Sequence, residues 1–181
     1  KKGYKVENLD AKGYFVEELK KLKPKIVFNA LHGKYGEDEF VQSILESLKI
    51  PYTHSGVLSS SLAMDKELSR LIFIKNNLKV PKYFLLQKGY EENLNKKINN
   101  KKIKFPIVIK PINEGSSLGV SICKNKKQFT SKCKKLMRNY DRILAEKYIP
   151  GREIQVAVMG EKALGAIELV PRRQFYDYTA K

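Results

Sequence analysis

Between Phe105 and Val120 the chain reads FPIVIKPINEGSSLGV. Ile107, Val108 and Ile109 have the make-up of a buried strand that ends on Lys110 and Pro111. A loop of small residues follows, Asn113-Glu114-Gly115-Ser116-Ser117-Leu118-Gly119, and the chain returns to an apolar run from Val120 to Cys123. Strand, glycine–serine loop and second strand make a hairpin whose tip can fold over an anion. The glycines let the backbone come close and take φ > 0, and successive N–H groups in such a turn form a concave cradle for phosphate oxygens. Lys110, at the strand end, adds a positive point charge beside them. The order excludes a Walker loop, in which the lysine follows the glycines and opens a helix. G-S-S-L-G also lacks the spacing of a dinucleotide-binding turn. An ordinary hairpin with a flexible tip satisfies the same residues, so the loop alone leaves both readings open.

Other groups are placed by what precedes them. His32-Gly33-Lys34-Tyr35-Gly36-Glu37-Asp38 stands directly after the apolar run 26–31. In open α/β sheets ligands sit outside the carboxyl ends of strands, which makes His32 a candidate ligand contact. Glu37 and Asp38 read more simply as first-turn acids matching the dipole of the next helix. Lys66 falls at a junction between two helices, where a surface lysine is the ordinary outcome. Residues 145–149, AEKYI, read by themselves as an edge strand with a solvated Glu–Lys pair.

The elements that must hold these groups follow from periodicity. Residues 2–6 read as the end of a helix and the start of a strand that closes at Leu9-Asp10. Residues 14–22 form a short amphipathic helix with Phe15, Leu19 and Leu22 on one face. Residues 26–31 form a continuous apolar strand, as in a parallel sheet covered on both faces. A helix with Phe40, Ile44, Leu45 and Leu48 inward follows, then a short strand at 50–53. A serine-rich helix covers 57–64, and another runs to about Asn76 with Leu68, Leu71 and Ile72 buried. After a strand at 83–86, residues 89–104 are polar and read as a loose surface helix and loop. Residues 126–137 form a basic amphipathic helix with Phe129, Cys133, Leu136 and Met137 inward. A strand at 141–149 precedes a hairpin at 152–170 that turns at Gly160-Glu161, with Ile154, Val156 and Val158 on one face.

Composition narrows the class. The 36 basic and 19 acidic residues give a formal charge of +17 over 181 residues. Thirty of the basic residues are Lys and six are Arg, whereas base-edge readers lean on Arg. The lysines are spread along the chain without aromatic interleaving, which favours a solvated surface over a nucleic-acid patch. The positive field still favours an anionic ligand such as a nucleotide. No apolar run is long enough to span a bilayer, and no signal-peptide pattern opens the chain. Cys123 and Cys133 fit neither a zinc pattern nor a disulfide framework, and read as reduced and structural in a cytoplasmic protein.

Five motifs then follow one another. They are H-G-x-x-G-E-D from His32, I-P-Y-T-x-S-G-V-L-x-S-x-x-x-M-D-K from Ile50 to Lys66, and V-I-K-P-x-x-E-G-S-S-L-G-V from Val108. A-E-K-Y-I-x-G-R-E from Ala145 and F-Y-D-Y-x-x-K from Phe175 to Lys181 complete the set. As an ordered set, from about residue 26 to 181, they resemble the D-alanine–D-alanine ligases of the ATP-grasp superfamily. The resemblance implies a mixed fold, α/β and α+β. An N-terminal parallel α/β (pre-ATP-grasp) layer would cover residues 1–65 and a central ATP-grasp subdomain with the glycine-rich loop residues 66–149. Residues 150–181 would begin a C-terminal ATP-grasp subdomain, truncated at the C-terminus.

The resemblance further implies a cytoplasmic enzyme that joins two D-alanine molecules at the expense of ATP, for peptidoglycan precursor synthesis. Its partners would be small-molecule substrates rather than nucleic acid or membrane, with a homodimer common in the family. By motif position, Lys66 and Lys110 would bind phosphates, and the loop with Gly115, Ser116 and Ser117 would close over them. Glu146, Lys147, Tyr148 and Ile149 would hold adenine, and Glu153 the ribose hydroxyls. His32 would lie near the first D-alanine. Ser116 would join a network with a covering loop that carries Tyr176, Tyr178 and Lys181. F-Y-D-Y followed by Lys181 leans toward dipeptide rather than depsipeptide formation. Mg2+ or Mn2+ is expected, with ligands outside these residues, so no metal-binding residue is assigned.

One departure stands out. The family motif G-E-D-G here reads Gly36-Glu37-Asp38-Glu39, which replaces a flexible glycine with a charged residue at a helix start. The family's first strand, an early glutamate, a late arginine and the metal-binding acids have no counterpart here, so the chain reads as a fragment. The alternatives are another ATP-grasp carboxylate–amine ligase or a basic nucleic-acid-binding module.

Overall fold

The computed structural model describes residues 3–89, 98–99 and 102–170. It divides into two compact units, Lys1–Ala63 and Met64–Lys181.

The first unit is built on two amphipathic helices. Helix α1 (Phe15–Leu22) and helix α2 (Phe40–Ser47) bury Phe15, Leu19, Val41 and Leu45 against one another. Burying side chains of this size is worth about 1.5–3 kcal/mol each, which fixes the pairing. Leu22, expected on the same face, is exposed. The helix ends there on Lys23, whose left-handed backbone turns the chain away. Phe40, also expected inward, opens α2 and leans out against Tyr35, ring centroids 5.2 Å apart. A third helix, α3 (Val57–Met64), buries Ser60.

The expected apolar strand at 26–31 is reduced to one parallel bridge, Val27 to Tyr52. The parallel sense is as predicted, but the strand is not covered on both faces: Phe28 is 80% exposed and Ile26 is exposed too. Among the described residues the pairing is made by Val27 alone, whose N–H bonds to the Pro51 carbonyl and whose carbonyl accepts from the Thr53 N–H, and it extends to no second residue pair. Residues 4–10 likewise form no strand, and Tyr4 and Val6 are exposed.

The second unit opens with α4 (Lys66–Lys75) and carries strands β1 (Tyr83–Gln87), β2 (Ile107–Pro111) and β3 (Ser121–Cys123). Helix α5 (Lys126–Leu136) and strand β4 (Arg142–Lys147) follow. The sheet order is β1-β4-β2-β3, antiparallel at every junction. Alternation along the strands gives the sheet two faces. Phe84, Leu86, Ile107, Ile109, Ile143 and Ala145 pack into one core with Phe129, Cys133 and Met137. Cys123 and Cys133 are free and buried in that core, and burial pushes the Cys133 thiol up to about 12. The other face carries Val108, Lys110, Leu144 and Glu146 on the alternate positions.

Helix α4 reverses expectation. Leu68, Leu71 and Ile72 are exposed, and its buried residue is Arg70. Its polar face is the inward one because an ion-pair partner waits there, as the site below shows. Strands β5 (Glu153–Met159) and β6 (Lys162–Leu169) form a separate hairpin with a bulge at Ala157/Val158. The face of Ile154, Val156 and Val158 is exposed rather than packed. Most of the polar stretch 89–104 lies outside the described residues.

Candidate functional site

The β2–β3 hairpin forms as its sequence requires, with Ile107 opposite Cys123 and Ile109 opposite Ser121. At its tip Ser116 and Ser117 hold left-handed backbone, φ 51° and 60°, uncommon for residues with a side chain. Leu118 N–H bonds to the Gly115 carbonyl at 3.0 Å and Val120 N–H to the Ser117 carbonyl at 3.2 Å, closing two successive tight turns. Gly119, at φ 71°, is the fixed point. A Cβ there would stand 2.9 Å from Pro111 Cγ and 3.1 Å from Leu136 Cδ1.

Beneath this tip lies a cleft of about 440 Å³, lined by Lys66, Lys110, residues 114–118 and residues 146–149, with Pro81, Val108, Pro111 and Val120 as apolar wall. Lys66 enters from the first turn of α4. Asp65 caps that turn, its Oδ1 accepting from the N–H groups of Glu67 and Leu68 at 2.8 and 3.0 Å. The Lys66 amine donates to the carbonyls of Ile112, at 3.1 Å, and Glu114. Desolvation, with the nearby charges of Lys110 and Arg70, lowers its pKa from 10.5 to about 8. It is therefore not the surface lysine its position suggests.

Lys110, from the end of β2, sits 2.5 Å from Glu146 Oε1. Glu146 is buried, 6% exposed, and its Oε2 pairs with Arg70. Arg70 also donates to the Lys66 carbonyl at 2.8 Å and lies over the Tyr83 ring, 5.4 Å from its centroid. Glu114 accepts from the Tyr140 hydroxyl at 3.2 Å. Among the described residues, Lys66, Lys110 and Arg70 thus face Glu146 and Glu114, a balance that leaves positive charge for an incoming anion.

The AEKYI segment is not an edge strand with a solvated Glu–Lys pair. Its β4 portion lies in the middle of the sheet, because β1 and β2 both pair with it. Both Glu146 oxygens already hold cations, so the purine amino group expected there would have to share them. Lys147 N–H bonds to the Lys82 carbonyl and Tyr148 N–H to the Pro106 carbonyl, at 2.9 and 3.2 Å. The Ile149 N–H at the cleft has no protein acceptor among the described residues, and it is the donor a purine ring edge could use.

The cleft thus gathers Lys66, Lys110, Gly115, Ser116, Ser117, Glu146, Lys147, Tyr148 and Ile149. Glu153 does not line it and stands exposed on β5. Tyr176, Tyr178 and Lys181 lie outside the described residues. Among the described residues no His, Cys, Asp and Glu side chains cluster closely enough to hold a metal.

His32 belongs to the first unit and is exposed, its Nδ1 3.9 Å from Glu37 Oε1. Glu37 is not a first-turn acid: α2 starts at Phe40, and Glu37 instead accepts from the Gly33 N–H at 2.5 Å. The loop is pinned at Gly36, whose carbonyl accepts from both Asn29 Nδ2 and Gln42 Nε2 at 2.9 Å. A Cβ on Gly36 would lie 2.4 Å from Leu31 Cβ. Glu39, the departure from the motif, holds φ 91°, a glycine conformation kept by a residue with a side chain.

Sequence reasoning missed Arg70, Glu114 and Tyr140. For Arg70 a signal existed: in a chain with 36 basic residues, almost all Lys, an Arg stands one helical turn after Lys66.

A family model described as D-ala D-ala ligase C-terminus matches residues 72–181. The D-alanine–D-alanine ligase of Pelagibacter ubique is 52% identical over 181 residues, spanning 100% of this chain and 59% of that protein. That of Rickettsia bellii is 44% identical, over 99% of this chain and 54% of its own length. The crystal structure of the Bacillus anthracis D-alanine–D-alanine ligase complexed with ATP superposes with a TM-score of 0.75 at 34% identity, over 89% of this chain and 54% of that one. The VanG D-Ala:D-Ser ligase of Enterococcus faecalis also gives 0.75, at 31% identity, over 87% and 46%. The chain spans a little over half the length of the curated relatives it matches, and it belongs to the D-alanine–D-alanine ligase family.

Proposed function

We propose that the cleft binds ATP, its triphosphate between Lys66, Lys110 and the serine–glycine tip and its purine along residues 147–149. The observation that carries this is the meeting of two lysines and a left-handed serine pair at one end of a cleft whose other end offers a backbone N–H and apolar wall. In the intact protein the reaction is ligation of two D-alanine molecules for peptidoglycan precursors. The γ-phosphoryl group passes to a carboxylate oxygen of the first D-alanine, and ADP leaves. The amine of the second attacks the acyl carbon, phosphate departs with the C–O electron pair, and the amine loses a proton. Lys66 and Lys110 offset the negative charge that gathers on the phosphates, and the glycine tip keeps water from the acyl phosphate. His32, Glu153, Tyr176 and Lys181 complete the proposal by motif position, around the D-alanine, the ribose and the cover loop. Mg2+ would add charge neutralisation at the phosphates, with ligands beyond the residues described.

A second reading is favoured by the likeness to VanG, whose name specifies D-Ser as partner to D-Ala. Phosphate release by the intact protein with ATP and D-alanine alone, or with D-serine or D-lactate added, distinguishes the two. D-alanine alone is expected to suffice. K110A is expected to abolish the thermal shift that ATP produces; an unchanged shift sinks the assignment.

A further inference from the structure

We propose that Arg70 is a positioning residue for the triphosphate, acting as the counter-ion of Glu146 and so leaving the charge of Lys110 available to the phosphates. This rests on the reading of the cleft as an ATP site. The geometry makes Glu146 the centre of a triad in which it and Arg70 are buried and Lys110 is partly exposed: Lys110 on Oε1 at 2.5 Å and Arg70 on Oε2. A buried carboxylate with one lysine as its partner would hold that lysine tightly and cancel its charge. Arg70 shares the carboxylate and takes that load. It is suited to it: 8% exposed, braced over Tyr83, and tied through the Lys66 carbonyl to the turn that aims the second phosphate-facing lysine. One guanidinium therefore registers α4 against β4 and sets the charge on both lysines. Arg70 does not itself line the cleft, which separates its role from theirs.

Calorimetric titration of the intact protein with ATP and with inorganic tripolyphosphate tests this on wild type, R70M, E146Q, R70M/E146Q and K110M. R70M is expected to weaken ATP about tenfold or more, because Glu146 then holds Lys110 alone. With tripolyphosphate, which has no purine to engage Glu146, R70M is expected to lose affinity likewise and R70M/E146Q to return to within about threefold of wild type, since the carboxylate charge is gone. A purely structural Arg70 would give no such rescue, and absence of rescue overturns the proposal. Should R70M fail to fold by thermal melting, E146Q decides with tripolyphosphate, which has no purine. Freed of its counter-ion, Lys110 must then bind at least as tightly as in wild type, and a loss of more than about threefold overturns the proposal. K110M keeps the two ideas apart. If it leaves ATP affinity unchanged, the cleft reading falls; if it weakens ATP while R70M does not, the role of Arg70 falls alone.

Discussion

Lys110 and Glu146 meet on a diagonal across two adjacent strands. Glu146 is paired in register with Val108, and Lys110, two residues further along β2, with Leu144. Same-face diagonal neighbours lie within reach of long side chains, so the sheet register itself brings ammonium and carboxylate to 2.5 Å. A slip of one residue would turn Lys110 into the Phe129 core, which makes this pair a readout of correct strand pairing.

The pH dependence of Lys66 follows from its burial. Its folded pKa of about 8 lies below the ordinary 10.5. Between those values the unfolded chain binds more protons, so this group makes stability rise with pH across that window and contributes no slope below it. Phosphates beside Lys66 would raise its pKa again. ATP binding at about pH 8.5 is therefore expected to take up a proton, seen by calorimetry in buffers of different ionisation enthalpy. K66M should show no uptake; a wild type without uptake contradicts the placement of Lys66 at the phosphates.

Asp65→Ala removes the side-chain acceptor for the N–H groups of Glu67 and Leu68. Loss of such a cap costs about 0.5–2 kcal/mol. Denaturant titration is expected to show this loss, and ATP affinity should fall with it because the same turn aims Lys66.

Glu39→Gly is expected to stabilise the protein. Glu39 holds φ 91°, where a side chain is strained by about 1–2 kcal/mol. Glycine relieves that strain but adds freedom to the unfolded chain, so a net gain of about 0.5–1 kcal/mol is expected. A lower denaturation midpoint for the variant would show that the carboxylate does more at this turn than the strain costs.

Gly119→Ala should do the reverse. The added Cβ would meet Pro111 at 2.9 Å and Leu136 at 3.1 Å, in a backbone at φ 71°. A destabilisation of about 1–3 kcal/mol and weaker ATP binding are expected, measured by denaturant midpoint and calorimetry. A variant that binds ATP like wild type would mean that the tip does not need this backbone.

The amino-acid sequence by itself determined what is local. Ile107 to Cys123 could be read as strand, small-residue tip and strand because apolar run, glycines and apolar run are contiguous. Asp65 before Lys66 similarly marks a helix start. The ordered motifs indicated the family, since their spacing survives without any knowledge of contacts. Only the tertiary structure decided which residues share the cleft. Placing β4 between β1 and β2 makes a polar Glu-Lys segment an interior one and buries Glu146. The same placement turns α4 over: its apolar Leu68 and Leu71 face outward because Arg70 finds a carboxylate 76 residues away. The hydrophobic pattern of α4 points the other way because helical periodicity ranks side chains by their transfer from water. It has no term for a charge whose partner arrives from a distant strand.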